Sequence, residues 1–133
     1  MCFFDRCSDK YKDVSNVTII HSNSKYDLFG IIEPITKPIT FWLDSHWSGT
    51  PDVGCDKETI CPILYELQQI TRHPIKMHTI MIDDIRLMDN IHFPVTVEEI
   101  IACIFEINPN YKISLYDDEY ALGDVLVAHI QDN

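Results

Sequence analysis

Glycine is scarce in this chain: the four residues lie at 30, 49, 54 and 123, and none forms a glycine-rich turn of the kind that lets backbone approach a ligand closely. Positive charge is also short, with 10 Lys and Arg against 21 Asp and Glu and a formal net charge of -11. Phosphate backbones and anionic headgroups are held largely by Lys and Arg, so this balance argues against nucleic acid and membrane as partners. No apolar run approaches the roughly 18 to 20 residues that cross a bilayer. The start "MCFFDRCSDKYKD" lacks the charged-then-apolar order of a signal segment. Cysteines at 2, 7, 55, 61 and 103 are odd in number and irregular in spacing, which fits reduced thiols better than a disulfide framework. These absences point to a soluble, intracellular protein, cytoplasmic in location.

What remains is a composition able to fold. With 46% hydrophobic and 23% charged residues, a chain of 133 fits a single domain spanning 1–133. Such a domain buries roughly two-thirds of its unfolded surface. The β-branched "NVTIIHS" (16 to 22) reads as a strand, and "SKYDLFGIIEPI" (24 to 35) as a short helix capped by Ser24. "ITFWLD" (39 to 44) is apolar on both alternating faces, as expected of a parallel strand covered on both sides. Residues 47 to 60 carry no periodicity and read as a loop.

"CPILYELQQITRH" (61 to 73) follows as a helix, with Pro62 in the first turn and Ile63, Leu64, Leu67 and Ile70 in one stripe. "HTIMID" (78 to 83) is a second buried strand, and "TVEEIIACIFEI" (96 to 107) is a helix with capping-box spacing between Thr96 and Glu99. "YKISLY" (111 to 116) and "DVLVAHI" (124 to 130) read as a closing hairpin across an acidic turn containing Asp117, Asp118 and Glu119. The alternation predicts an α/β fold with a mostly parallel sheet of about five strands ending in an antiparallel hairpin. In such sheets ligands bind beyond the carboxyl ends of the strands.

Two of these strands end in acid. If 39–44 and 78–83 are neighbours, their ends lie about 4.8 Å apart and bring Asp44 near Asp83 and Asp84. Like charges at that distance raise one another's pKa, so the cluster calls for a metal, a basic partner or a retained proton. A metal there would be Mg2+, Mn2+ or Ca2+, because oxygen ligands favour these over zinc. Consecutive side chains diverge on an extended backbone, so one of Asp83 and Asp84 binds while the other holds a loop or caps a turn. His46 stands two residues past Asp44, where imidazole serves as general base or metal ligand. Arg86 is an alternative source of neutralising charge. Cys55 and Cys61 flank a loop near His46, but their spacing matches no zinc signature. An acidic strand ending alone serves solubility and turn formation; the combination of Asp44, His46, Asp83 and Asp84 is what points to a site.

Taken as a set, "FWLDSHWSG", "CPILYELQQI", "IMIDDIRL" and "NPNYKISLYDD" give residues from about 16 to 118 a resemblance to the C-terminal half of class I S-adenosylmethionine-dependent methyltransferases. The likeness is to methyltransferase-like proteins of glycan modification. It implies a truncated Rossmann-like three-layer sandwich whose last two strands form a reversed hairpin. It also implies a divalent ion, Mg2+ or Mn2+, held by Asp44, Asp83 and Asp84 against a sugar or glycan acceptor, with His46 as catalytic base. Asp44 and Asn23 become cofactor-binding positions, although Asn23 stands where the family more often has an acid.

The family's glycine turn is not found in "MCFFDRCSDKYKDVS", so the cofactor-binding half is expected to be missing and S-adenosylmethionine not to bind this chain alone. An active enzyme then requires a partner chain or self-association; the alternative is a non-catalytic remnant or binding module. Loss of neighbouring strands leaves a sheet edge to be covered. Cover is expected from 17–21 placed beside 39–44 and from the apolar "MCFF" start, or else from a partner chain or a homodimer. The isoleucine-rich composition suits an AT-rich genome such as that of a large DNA virus.

Overall fold

The computed structural model describes residues 3–49 and 60–131. Most of the loop expected over 47–60, Cys55, and Met1 and Cys2 of the "MCFF" start lie outside the described residues. The elements are α1 (Phe3–Tyr11), α2 (Ser24–Ile32), β1 (Thr40–Leu43), α3 (Ile63–Arg72), β2 (Thr79–Ile82), α4 (Val97–Ile107), β3 (Lys112–Tyr116) and β4 (Val125–His129). A 3-10 turn covers Ile85–Leu87.

The fold is α/β, with a mixed four-stranded sheet in the order β1-β2-β4-β3. β1 and β2 run parallel, in a register that pairs Leu43 with Ile82. β4 runs against both its neighbours, and pairs with β3 as the closing hairpin. A mostly parallel sheet of about five strands is therefore not what forms, for two reasons. First, β4 inserts between β2 and β3, leaving one parallel pairing. Second, 16–22 makes no strand: Val17 and Ile20 are exposed, and the segment follows turn bonds from Val14 to Tyr11 and from Val17 to Val14. A β-branched run without a sheet partner to pack on has little intrinsic reason to be a strand. β1 is thus a sheet edge among the described residues.

The core lies on one face of this sheet. Phe41 and Leu43 of β1, Ile80 and Ile82 of β2, and Leu126 and Ala128 of β4 are buried. Ile63, Leu67 and Ile70 of α3 meet them, with Ile100, Ile104 and Ile107 of α4. The helical residues repeat at the spacing of one helix face. α2 packs on α3 and α3 on α4. The opposite face is more open, because Thr40 is exposed, Trp42 is 52% exposed, and Met81 and Val127 are only half-buried. The expected cover of β1 on both sides, and with it the third layer of the sandwich, is not found among the described residues. Helix α1, which the sequence reading did not identify, has no buried residue.

Polar clamps fix the helices. Asn23, rather than Ser24, caps α2 by accepting from the Lys25 N–H at 3.0 Å. Gln69 of α3 uses both ends of its amide on α2: Oε1 accepts from Phe29 N–H, while Nε2 donates to the Ser24 and Lys25 carbonyls. Thr96 and Glu99 form the capping box that their spacing predicts.

At the edge of the sheet where β1 and β2 begin, His73 and His78 form a buried chain of hydrogen bonds. Ile39 N–H donates to His78 Nδ1 at 3.0 Å, so His78 carries its proton on Nε2. That proton faces His73 Nδ1 at 3.1 Å, which leaves His73 protonated on Nε2, beside the carbonyls of Ile32 and Ile35. The His78 ring is satisfied in this chain only when neutral. Burial, then His73, pushes the His78 pKa down to about 4.

A histidine whose folded pKa lies below its unfolded value leaves stability unchanged above pH 6.5 and removes it as pH falls toward 4. The free energy of urea unfolding should drop by about 3 kcal/mol from this source over that window. The His78 ring resonances should titrate near pH 4; a midpoint near 6.5 would contradict the closed chain. Thr96→Ala should cost about 1 kcal/mol in the same unfolding measurement.

Candidate functional site

Because β1 and β2 are parallel and in register at Leu43 and Ile82, both chains leave the sheet at the same rim. Asp83 N–H still reaches the Leu43 carbonyl at 3.3 Å, and Asp44 follows directly on the other strand. Beyond this point the two acidic endings behave differently. Asp83 Oδ1 accepts from the Asp84 N–H at 2.9 Å and holds the bend. Asp84 itself has φ 55 and ψ 35, the left-handed region that non-glycine residues enter at a cost and that Asp tolerates better than most.

In that conformation Asp84 meets His46. Asp84 Oδ2 lies 2.9 Å from His46 Nε2, and Asp44 Oδ1 lies 3.2 Å from the same nitrogen. Nε2 is an enclosed atom that makes no hydrogen bond, although both oxygens stand at ion-pair distance from it. The His46 side chain is 9% exposed, and its ring packs 5.0 Å from that of Phe93. A nitrogen enclosed between two carboxylate oxygens offers, with them, the donor atoms of a cation site.

The spacing fits that reading. Two ligand atoms at right angles on an ion, each about 2.1 Å from it, stand about 3.0 Å apart. Asp44, His46 and Asp84 each offer one atom within 4.8 Å of the others and could together hold a metal ion. Their two negative charges match a divalent cation. The Asp44 carboxyl is held above its ordinary pKa, first by burial and further by Asp83 and Asp84, with His46 opposing.

A second acidic group, formed by Asp83, Asp84, Asp118 and Asp124, has a basic partner within the chain. Arg86 pairs through its guanidinium with both Asp84 and Asp124. The buried Asp124 also accepts from the Arg86 backbone N–H at 2.9 Å. Asp84 thus belongs to both groups: Oδ1 faces Arg86 and Oδ2 faces His46. In the turn, Asp118 Oδ1 accepts from the N–H groups of Tyr120 and Ala121, and Asp117 accepts from Gly123.

Behind His46, Ser45 Oγ donates to the buried Glu66 carboxylate of α3 at 2.5 Å. A cavity of about 10 Å3 there borders Ser45, His46, Cys61, Glu66 and Met88, near the smallest size that holds a water.

Of the residues that the sequence marks, the structure brings Asp44, His46 and Asp84 together and places Asp83 in the adjoining Arg86 group. Asn23 stands apart from this group in the chain's hydrogen bonding: its side chain caps α2. The sequence reading missed Asp124, Glu66 and Phe93. Asp124 had a usable signal: a closing strand that runs against the others begins at the rim where they end. No family model matches the chain, nor does any curated protein or any solved structure.

A carboxyl with a raised folded pKa favours the folded state when protonated, so its contribution to stability declines as pH rises through the carboxylate range. In the presence of a chelator, Asp44→Asn should therefore melt at a higher temperature than the unaltered chain at pH 7. That advantage should shrink as pH falls toward 3.8. A lower melting temperature at pH 7 would show that the carboxylates are not under mutual strain.

Proposed function

We propose that this chain is a divalent-cation-binding α/β domain related to the C-terminal half of metal-assisted sugar O-methyltransferases. The observation that carries the reading is the buried His46 Nε2, which has no hydrogen-bond partner and stands between oxygens of Asp44 and Asp84. Asp44, His46 and Asp84 would hold the ion, and a nitrogen among oxygens favours Mn2+ over Mg2+. A bound ion supplies Lewis acidity to a hydroxyl or carbonyl oxygen of a ligand.

The chain's own groups prepare this site. Arg86 fixes one Asp84 oxygen and leaves the other facing His46. Phe93 limits access of water to the His46 ring. A His46 engaged through Nε2 is a ligand, which leaves the role of base to a state without the ion.

Support for the methyltransferase relationship is the acidic rim on a parallel pair followed by a reversed hairpin. The class I family, a Rossmann-like ancestry of the sheet and the sugar acceptor belong to this proposal. S-adenosylmethionine is not assigned a site: Gly30 lies in α2, while Gly49 and Gly123 are loop residues with positive φ. The open β1 edge and the exposed Trp42 face mark where a partner chain or second copy would complete an active enzyme. On its own the chain acts as a binding module.

Calorimetric titration tests the reading. Mn2+ should bind at one saturable site, and His46→Ala and Asp84→Asn should each weaken it by more than about tenfold, since even supporting groups of a metal site contribute that much. At a hundredfold excess over its Kd, the ion should raise the melting temperature by roughly 10 °C. S-adenosylmethionine should give no heat. Absence of a saturable Mn2+ site, or unchanged affinity in both variants, would contradict the cation site; tight cofactor binding would contradict the module.

A further inference from the structure

Glu66 stands in the first turn of α3, is 2% exposed, and forms no ion pair among the described residues. The inward positions around it on the helix, Ile63, Leu67 and Ile70, are apolar core. A carboxyl at such a place costs stability that a leucine of similar size would not, so packing alone does not account for it. Its side chain has one hydrogen bond among the described residues, accepted through Oε1 from Ser45 Oγ at 2.5 Å. Ser45 is exposed, and water could satisfy its hydroxyl, so burial of the serine does not demand this bond either.

Ser45 lies between Asp44 and His46, so a bond that fixes its side chain fixes the peptide units that carry both. The anchor at the other end is firm. Leu67 and Ile70 of α3 are fully buried, and Gln69, three residues past Glu66, clamps the helix to α2. Beyond His46, Trp47 N–H donates to the Ile60 carbonyl at 2.8 Å and closes the same segment on its far side. His46 Nδ1 faces the Trp47 carbonyl at 3.4 Å, which leaves Nε2 as the nitrogen free to ligate.

We infer that Glu66 is a positioning residue of the rim, which acts through Ser45 to hold Asp44 and His46 at the spacing of a small divalent cation and against a large one. The inference rests on the proposed cation site. Glu66 is not one of the residues that could ligate the ion, so its effect is exerted on the ligands. On the β2 side Arg86 holds Asp84; on the β1 side the Glu66–Ser45 bond does the same for Asp44 and His46. Bonds of about 2.1 Å put ligand atoms at right angles about 3.0 Å apart, whereas Ca2+ bonds of about 2.4 Å put them about 3.4 Å apart. The separations of 2.9 and 3.2 Å at His46 Nε2 match the smaller ion. Ca2+ is accommodated by flexible ligand sets, so a rigid one disfavours it.

Titration of Mn2+, and of Ca2+ in competition with it, into the unaltered chain and its variants tests this role. Ser45→Ala and Glu66→Leu should each weaken Mn2+ about tenfold while leaving Ca2+ within about threefold, so that the preference for Mn2+ narrows. Their losses should not add in the double variant, because both remove the same bond. Glu66→Gln keeps an acceptor for Ser45 Oγ and should retain Mn2+ affinity within about threefold. Ser45 is exposed, so Ser45→Ala decides the matter even where Glu66→Leu fails to fold. Equal loss of both ions, a loss in Glu66→Gln as large as in Glu66→Leu, or unchanged Mn2+ affinity in Ser45→Ala overturns the inference and leaves the cation site standing. Absence of a saturable Mn2+ site in the unaltered chain contradicts the cation site itself, and this role with it.

Discussion

The parallel pairing of β1 with β2 is the constraint on which the rest of the site depends. Its register sets Leu43 against Ile82, so two chains that each turn acidic on leaving the sheet do so side by side. Packing drives that register: Phe41, Leu43, Ile80 and Ile82 reach the core only if the strands align this way, and a slip by one residue would turn them to the other face. The hydrophobic effect thus imposes an electrostatic problem at the rim. The structure answers part of it with Arg86, which pairs with Asp84 and Asp124. What Arg86 does not reach is the corner where Asp44 and Asp84 converge on His46.

The two ends of the sheet handle histidine in opposite ways. Where the strands begin, His73 and His78 have every ring nitrogen engaged by backbone or by each other, and His78 is held neutral. Where the strands end, His46 is only partly buried, and its Nε2 makes no hydrogen bond but stands at ion-pair distance from two carboxylates. One protein thus contains a fully hydrogen-bonded buried histidine pair and a partly buried histidine whose Nε2 meets only carboxylates. Simple burial accounts for the first and not for the second. The left-handed backbone of Asp84 strengthens the contrast, because it places the second oxygen at that corner at a conformational cost.

Much of this was legible in the sequence because it rests on periodicity and local chemistry. The α3 and α4 stripes, the Thr96–Glu99 capping box, the strands ending at Asp44 and Asp83 and the closing hairpin all follow from residues a few positions apart. Features that depend on what lies across space were not legible. "NVTIIHS" has strand composition but no strand beside it, and the apolar Trp42 face of β1 looks buried until the helices are found on the other side. The division of work between Asp83 and Asp84 is set by one backbone dihedral. Asp124 reaches the rim only through the insertion of β4 between β2 and β3.

Diffraction from crystals grown with Mn2+, collected for anomalous scattering, tests the central claim most directly. The expected result is an anomalous peak at the rim, with Asp44 and Asp84 carboxylate oxygens and His46 Nε2 as its protein ligands. Density showing His46 Nε2 hydrogen-bonded to protein or water, with no ion between the two carboxylates, would contradict it.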